Sequence, residues 1–536
     1  VRNLIVKTFN SKPMPFKLTT EPRVETKMRT MAQRVRWQHS QVLERGIDQT
    51  RLVLEDGEPL DQGFSFLVVG DSGTGHHRRS SPQRQVAQQL LTHGSGARFT
   101  LHTGDVVYLV GSREQYMANF IKPYRDWLVG GESYRQLAYD RMVFKWPMLP
   151  VPGNHDYYDL PWWIGLLAGL TQPLRYALRS YVDLDVGWHG SFKGDAYARA
   201  FLDYLKAIPE SRLGNHLDRH YTSTLDGRRC LTYRPGQFTR LPNRYYHFRY
   251  GGIDFFAIDS NTFNHPLPLK DDGYGGTSRQ TLVQQRQQLE VAKTDLLRQA
   301  GLDAFNPTTE DHREDITEEL EAINEQIYDI DKQLSVSRAP TVDFDQLHWL
   351  RDGLIASWQN PAVRGRILFF HHPPYVSEIT KWPQGQTLAV RHHLRQVLDA
   401  VADQVGDIAQ DQPLVNLVLN GHAHCLDYLR TGDTGHGDRH IPWMVCGGSG
   451  YSLRRQRPEG PELTEITDNS NGENVVVATS HLYLGRRGKG STLQRPYSAL
   501  RIDANDDVPL KLTLTPLVAE KVDGGWKQYC LDKIIV

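Results

Sequence analysis

Short apolar runs that stop at a glycine and a polar residue recur along this chain. Residues 64–71 read FSFLVVGD, 99–105 read FTLHTGD and 148–156 read MLPVPGNHD. Each is the pattern of a buried strand in an α/β sheet, too short and too uniformly apolar for an amphipathic helix. A polar helix is predicted at about 82–93. RYYHFRYGGIDFFAIDS (244–260) predicts two strands joined at Gly251-Gly252. Further on, helices at 343–358 and 389–403 lead into RILFFHH (366–372) and PLVNLVLNGHAH (413–424), and IPWMVCGG (441–448) follows. The tail holds β-branched or alternating runs at 475–484, 497–503 and 510–517. This order predicts an α/β fold, a four-layer α/β/β/α sandwich. The polar groups gather at the carboxyl ends of the strands, where open α/β sheets place their ligands.

Two segments break the alternation. Residues 157–222 are aromatic-rich and helical in pattern, and are expected to form a helical cap. In 278–335, Ile316, Leu320, Ile323, Ile327, Ile330 and Leu334 step by 4-3-4-3-4, and Leu282, Leu289 and Leu296 recur every seven residues. An antiparallel helical hairpin is expected, turning at GLDAFNPTTED. It would serve as a self-satisfied insertion, or as a lid or arm for a protein partner or self-association. Residues 1–62 read as an N-terminal arm or small subdomain, 63–450 as the catalytic domain, and 451–536 as strands that complete or flank the sandwich.

With 536 residues, the chain reads as one large domain with insertions. Lys+Arg and Asp+Glu balance at 62 each, so no nucleic-acid or anionic-membrane partner is expected. Cys230, Cys425, Cys446 and Cys530 are widely spaced, without the CxxC pairs of a zinc ribbon. The longest apolar stretch, Trp162 to Leu170, falls short of the roughly 20 residues of a spanning helix. The N-terminus shows neither an initiator Met nor the apolar run of a signal peptide, and a cytoplasmic location is the expectation.

Five motifs close five of the predicted strands: Gly70-Asp71-Ser72-Gly73, Gly104-Asp105-Val106-Val107-Tyr108, Gly153-Asn154-His155-Asp156, His371-His372-Pro373-Pro374 and Gly421-His422-Ala423-His424. One alone is a common turn, but their joint occurrence at strand ends suits a pair of cations. Carboxylates can bridge such ions, neutral imidazoles leave net positive charge for a phosphate, and glycines let the backbone turn close by. The set resembles the signature of calcineurin-like metallophosphoesterases over roughly residues 64–450. Most of that superfamily has a histidine where Gly73 stands. Gly73 together with Tyr108 is similar to the purple acid phosphatase branch.

That resemblance implies a first metal held by Asp71, Asp105, Tyr108 and His424. It implies a second held by Asp105, Asn154, His371 and His422, with Asp105 bridging. A phenolate is a hard anionic donor, which favours Fe(III) at the first position; the second would be Fe, Zn or Mn. His155 would act on the leaving oxygen or the transition state, and Asp156 would orient it or simply form the turn. His372 is expected to support the ligand side chains from behind or to be structural. The expected activity is hydrolysis of a phosphomonoester by a metal-bound hydroxide. The alternatives are a phosphodiesterase with the same centre, and a partner-binding protein that has lost catalysis. His76, His77, Arg78, Arg79, Asp259, Tyr375, His392 and His393 are weaker candidates, better read as surface or structural residues.

Overall fold

The structure is a computed structural model that describes residues 20–58, 63–73, 81–160, 190–269, 279–303, 310–336, 340–410, 412–466, 474–489, 492–507, 509–522 and 524–536. In chain order its strands are β1 (Ile47–Leu54), β2 (Phe64–Val69), β3 (Ala97–His102), β4 (Met148–Pro150), β5 (Ser223–Leu225), β6 (Arg228–Tyr233), β7 (Tyr246–Tyr250), β8 (Ile253–Ala257) and β9 (Gly365–Phe369). They continue as β10 (Leu417–Asn420), β11 (Leu426–Thr431), β12 (Pro442–Cys446), β13 (Glu462–Ile466), β14 (Asn474–Leu484), β15 (Pro496–Ala504), β16 (Leu512–Val522), β17 (Gly525–Cys530) and β18 (Ile534–Ile535).

These strands form two sheets. The larger runs β13-β14-β11-β12-β10-β9-β8-β7-β1-β6-β5, and the smaller β17-β16-β15-β2-β3-β4 with β18 on β16. The period of two along each strand decides what lies between the sheets. Phe255 of β8 faces inward and meets Phe66 of β2 and Phe99 of β3 edge-on, each with ring centroids 5.4 Å apart. Its neighbour Phe256 faces the other way, into a separate core with Leu368, Val418, Trp443 and Val445. Edge-to-face pairs of this kind add roughly 0.5–1.5 kcal/mol each beyond burial.

Two helices cover the outer face of the larger sheet. Phe344–Gln359 buries Leu347, Leu350 and Leu354, and Gly385–Ala409 buries Val390, Leu394, Val397, Leu398, Val401 and Val405, spacings that make one apolar stripe. Asp343 caps the first of them by accepting the Gln346 N–H at 3.3 Å. Pro82–His93 packs on β15 and β16, outside the smaller sheet. The result is the four-layer α/β/β/α arrangement.

The hairpin is present as the helices Arg279–Asp303 and Glu310–Ser335; its turn at 304–309 lies outside the described residues. Arg286 reaches across it to Asp331 Oδ1 at 2.6 Å. Within the segment expected as a cap, 161–189 lies outside the described residues, while Asp195–Phe201 and Glu210–His220 are helical. Ile47–Leu54, in the segment read as an arm or small subdomain, is a strand of the larger sheet, parallel to both β6 and β7. Of the C-terminal strands, β13 and β14 extend the larger sheet through β11, while β15, β16, β17 and β18 join the smaller sheet through β15, which pairs with β2 antiparallel. No described helix is long and apolar enough to cross a membrane.

Candidate metal centre

β2, β3 and β4 are parallel to one another, and so are β8, β9, β10 and β12. The loops at their carboxyl ends meet at the seam between the sheets. Asp71, Asp105 and His422 each turn out of a strand in the left-handed region, with φ of 51°, 52° and 66°. Non-glycine residues rarely adopt it, at a cost of order 1 kcal/mol or more, and such residues cluster at functional sites. Glycine is required beside two of them. A Cβ on Gly153 would lie 2.1 Å from Asp105 Oδ1, and one on Gly421 would lie 2.6 Å from Asp71 Oδ2.

The side chains converge on Asp105. Tyr108 Oη lies 2.8 Å from Asp71 Oδ1, 2.9 Å from Asp105 Oδ2 and 3.3 Å from His424 Nε2. On the other side of the same carboxylate, His371 Nε2 lies 3.2 Å from Asp105 Oδ2 and 2.9 Å from Asn154 Oδ1. His371 Nδ1–H donates to the Thr103 carbonyl at 2.9 Å, which turns Nε2 toward the oxygens. Ligand atoms of Asp71, Asp105 and His371 lie within 4.8 Å of one another, as do those of His371, His372 and His422. The rings of His372 and His422 are 4.5 Å apart.

Burial sets the electrostatics. Desolvation pushes the Asp71 carboxyl up to about 8, with the charge of Asp105 adding to it. Desolvation also disfavours charge on Asp105, but His371 and His155 outweigh it and hold the carboxyl well below its ordinary range. Burial opposes charge on His371 too, yet Asp105 raises it to about 9. Burial, then Asp105 and Asp71, push the Tyr108 phenol well above its usual value. His422 and His424 are held well below theirs, first by burial; Lys381 adds to this for both, and Arg454 for His424. Without cations the centre limits its buried charge by holding protons into the neutral range, one on Asp71 and one on His371. This donor set fits cations.

One expected role is corrected. Asp156 does not orient His155. Its oxygens accept the backbone N–H groups of Gly153 at 2.9 Å and Val106 at 3.2 Å, tying the β4 loop to the β3 loop. Its carboxylate is thus directed to two turn amides and not to the His155 ring. His155 Nδ1 instead bonds the Leu109 carbonyl, and the His155 ring sits 4.3 Å from that of Tyr108. His372 is held at both ring nitrogens, by Ser260 Oγ at 2.8 Å and Asn264 Nδ2 at 3.1 Å. Asp259 is a buried hub that accepts from Tyr157 Oη at 2.7 Å and Arg244 Nη1 at 3.2 Å. Tyr375 is buried against Asp438, and His393 is buried on the outer helix. His76, His77, Arg78 and Arg79 lie outside the described residues.

Sequence reasoning missed other groups. Tyr451 stacks on Tyr108 with centroids 4.0 Å apart, and it comes from the Gly447-Gly448-Ser449-Gly450 loop after β12. That glycine-rich strand end was the available signal. Gln386 Nε2 lies 2.7 Å from His422 Nε2. Lys381 and Arg454, both buried, carried no motif.

Gly73 has its own reason to be glycine. A Cβ there would lie 2.4 Å from Val106 O and 2.6 Å from Val107 Cα, so the loop that delivers Tyr108 occupies the side-chain space. A histidine at this position and Tyr108 in its present place exclude each other. Gly73→Ala is expected to destabilise the protein by about 2 kcal/mol, read from denaturant midpoints, because the clash is with backbone. An unchanged midpoint would show that the two loops are not in contact.

No family model and no curated protein matches the chain. Solved structures similar to it at low identity include a purple acid phosphatase and an anchor protein. Purple acid phosphatase PPD1 from yellow lupin (Lupinus luteus) seeds shares 12% identity over 90% of this chain and 54% of its own, with a TM-score of 0.38. GAP50, the anchor in the inner membrane complex of Plasmodium, shares 10% identity over 88% of this chain and 89% of its own, with a TM-score of 0.35. The chain thus spans about half the length of the lupin protein (54%).

Proposed function

We propose that this protein hydrolyses a phosphomonoester at a centre for two metal ions. One observation carries the reading: Asp105 Oδ2 faces Tyr108 Oη at 2.9 Å on one side and His371 Nε2 at 3.2 Å on the other. A single carboxylate thus touches two donor sets. Asp71, Tyr108 and His424 would complete the first site, and Asn154, His371 and His422 the second. When bound, the cations would supply Lewis-acid charge to the phosphate oxygens and lower the pKa of a water.

The chain's own groups do the remainder. The glycine turns hold the donors on rigid strand ends, so little reorganisation is needed when substrate binds. His155 is only half-buried, and its Nδ1–H donates to Leu109 O, which leaves Nε2 to serve the leaving oxygen. Burial lowers the His155 pKa, and the charge of Asp105 works against that; a phosphate dianion would do the same. Tyr451 packs flat on the Tyr108 ring and restricts where the phenol oxygen points.

Metal analysis with a visible spectrum, run beside assays on p-nitrophenyl phosphate and bis(p-nitrophenyl) phosphate, tests this. Two ions per chain and preference for the monoester are expected. Bound Fe(III) should give a tyrosinate charge-transfer band that Tyr108→Phe removes. A colourless, fully active zinc or manganese protein overturns the iron assignment alone. A fully metallated protein that cleaves neither ester overturns the whole reading.

A further inference from the structure

The Glu310–Ser335 helix lies beside the centre and carries carboxylates toward buried cations. Glu325 contacts Lys381 Nζ directly. Arg454 Nη2 lies 3.7 Å from Glu321 Oε2 and 3.8 Å from Glu325 Oε2. The two cations are deeply placed, with Lys381 2% and Arg454 5% exposed, while Glu321 and Glu325 stay 28% and 27% exposed. The positive groups therefore form the floor and the glutamates a solvent-facing layer above them.

The floor adjoins the proposed centre. Arg454 N–H donates to the His424 carbonyl at 3.0 Å. From Glu325 a hydrogen-bonded path leads back to His422: Gln384 Nε2 to Glu325 Oε1 at 3.4 Å, Gln386 Nε2 to Gln384 Oε1 at 2.8 Å, and Gln386 Nε2 to His422 Nε2 at 2.7 Å. The helix itself is fastened on both sides of the pair. Glu318 bonds Arg486 Nη1 at 3.1 Å with both side chains 3% exposed, and Asp329 accepts the Gly385 N–H at 3.0 Å. Between these anchors, Arg454 sits at long range from its carboxylates. Flexible glutamate side chains can swing away there without moving the helix.

We propose that Lys381 and Arg454 form a subsite for a second anionic group on the substrate, which Glu321 and Glu325 occupy in its absence. The inference rests on the phosphatase reading of the centre. The substrate class is then a phosphate ester that carries a further carboxylate or phosphate a few ångströms from the scissile group. The cations would bind that group and the metal centre the ester. The glutamates act as built-in competitors, so esters without a second charge gain nothing by displacing them.

A matched pair of esters tests this: phenyl phosphate and 4-carboxyphenyl phosphate, differing by one carboxylate. The readout is the ratio of their KM values, charged over uncharged. Glu321→Gln/Glu325→Gln should lower that ratio at least fivefold, because the competing anions are gone. Lys381→Met should raise it at least fivefold; if that variant is unstable, the glutamate variant decides alone. A ratio within twofold of the parent protein overturns the subsite. If the parent protein cleaves neither ester, the phosphatase reading falls by itself. The same ratio is then taken from calorimetric affinities for phenylphosphonate and 4-carboxyphenylphosphonate, and the same twofold limit applies.

Discussion

Asp105→Asn is expected to lower phosphomonoester turnover by about a thousandfold and to reduce metal content below two ions per chain. The substitution is chosen for what it keeps. Asparagine matches the shape of aspartate and tolerates the left-handed backbone that Asp105 adopts at φ 52°. Its carbonyl oxygen can still accept the His155 N–H that Asp105 Oδ1 takes at 2.8 Å. The negative charge and the second acceptor oxygen are lost. Those are what one residue needs to serve two cations at once, facing Tyr108 and His371 from a single oxygen. In the metal-free state, the substitution would also release His371 from the charge that raises its pKa. The far-UV spectrum of the metal-free variant should stay close to that of the parent, with a lowered thermal midpoint because the buried charge beside His371 is lost. Retained activity at normal metal content would refute the bridging role, and lost activity with a collapsed fold would move the explanation to structure.

The residues of this centre were legible because their motifs are constrained twice. A strand that ends at one of these clustered side chains needs glycine to turn, and the side chain needs a fixed offset from that glycine. Gly153 beside Asp105 and Gly421 beside Asp71 show both demands in one contact. The exchange of Gly73 and Tyr108 was legible for the same reason, and the structure supplies its cause in the backbone of Val106 and Val107. Partner choice was not legible. Asp156 stands next to His155 in the chain, yet its oxygens go to the Val106 and Gly153 amides, because those turns leave donors that nothing else reaches.

The same distinction runs through the fold. Uniformly apolar runs such as β2 and β9 announced themselves, since both faces are covered. β1 did not. Its IDQTRLVL pattern buries Gln49 and Thr50, whose burial depends on distant partners: Gln49 Nε2 donates to the Val35 carbonyl at 2.7 Å, and Trp349 Nε1 donates to Thr50 Oγ1 at 3.0 Å. Lys381, Arg454 and Tyr451 reach the centre from loops that follow no ligand motif. Tertiary packing alone brings them there. The hairpin was readable as a hairpin from its heptads, but its acidic residues gain meaning only from the cations beneath them.

Metal removal should cost stability in proportion to pH. In the metal-free protein the folded state raises Asp71 to about 8, chiefly by burial. It raises Asp156 to about 8 for the same reason, with Asp105 contributing. It raises His371 to about 9, as Asp105 overcomes burial. Unfolded, such groups titrate near 3.9 for aspartate and roughly 6.5 for histidine. A raised folded pKa means that the folded state holds its protons longer. The stabilisation is complete below the unfolded pKa and is lost as pH climbs through the folded one. The loss runs from about pH 4 to 8 for the two aspartates and from about pH 6.5 to 9 for His371. Asp105, held low by His371 and His155 against burial, has the opposite sign, and its share is lost only in acid. The groups share one field and do not add, so the fall from pH 6 to pH 8.5 should be on the order of 3 kcal/mol. Cations would replace the protons of Asp71 and His371 and act on Asp156, which holds turn amides, only through their charge, so the slope flattens. The gap between the thermal midpoints of loaded and chelator-treated protein should therefore be several degrees wider at pH 8.5 than at pH 6. In the Asp105→Asn protein the gap should widen less, because the charge that holds the His371 proton is gone. A gap that stays constant between the two pH values would mean that the protons counted here are not the ones a metal displaces.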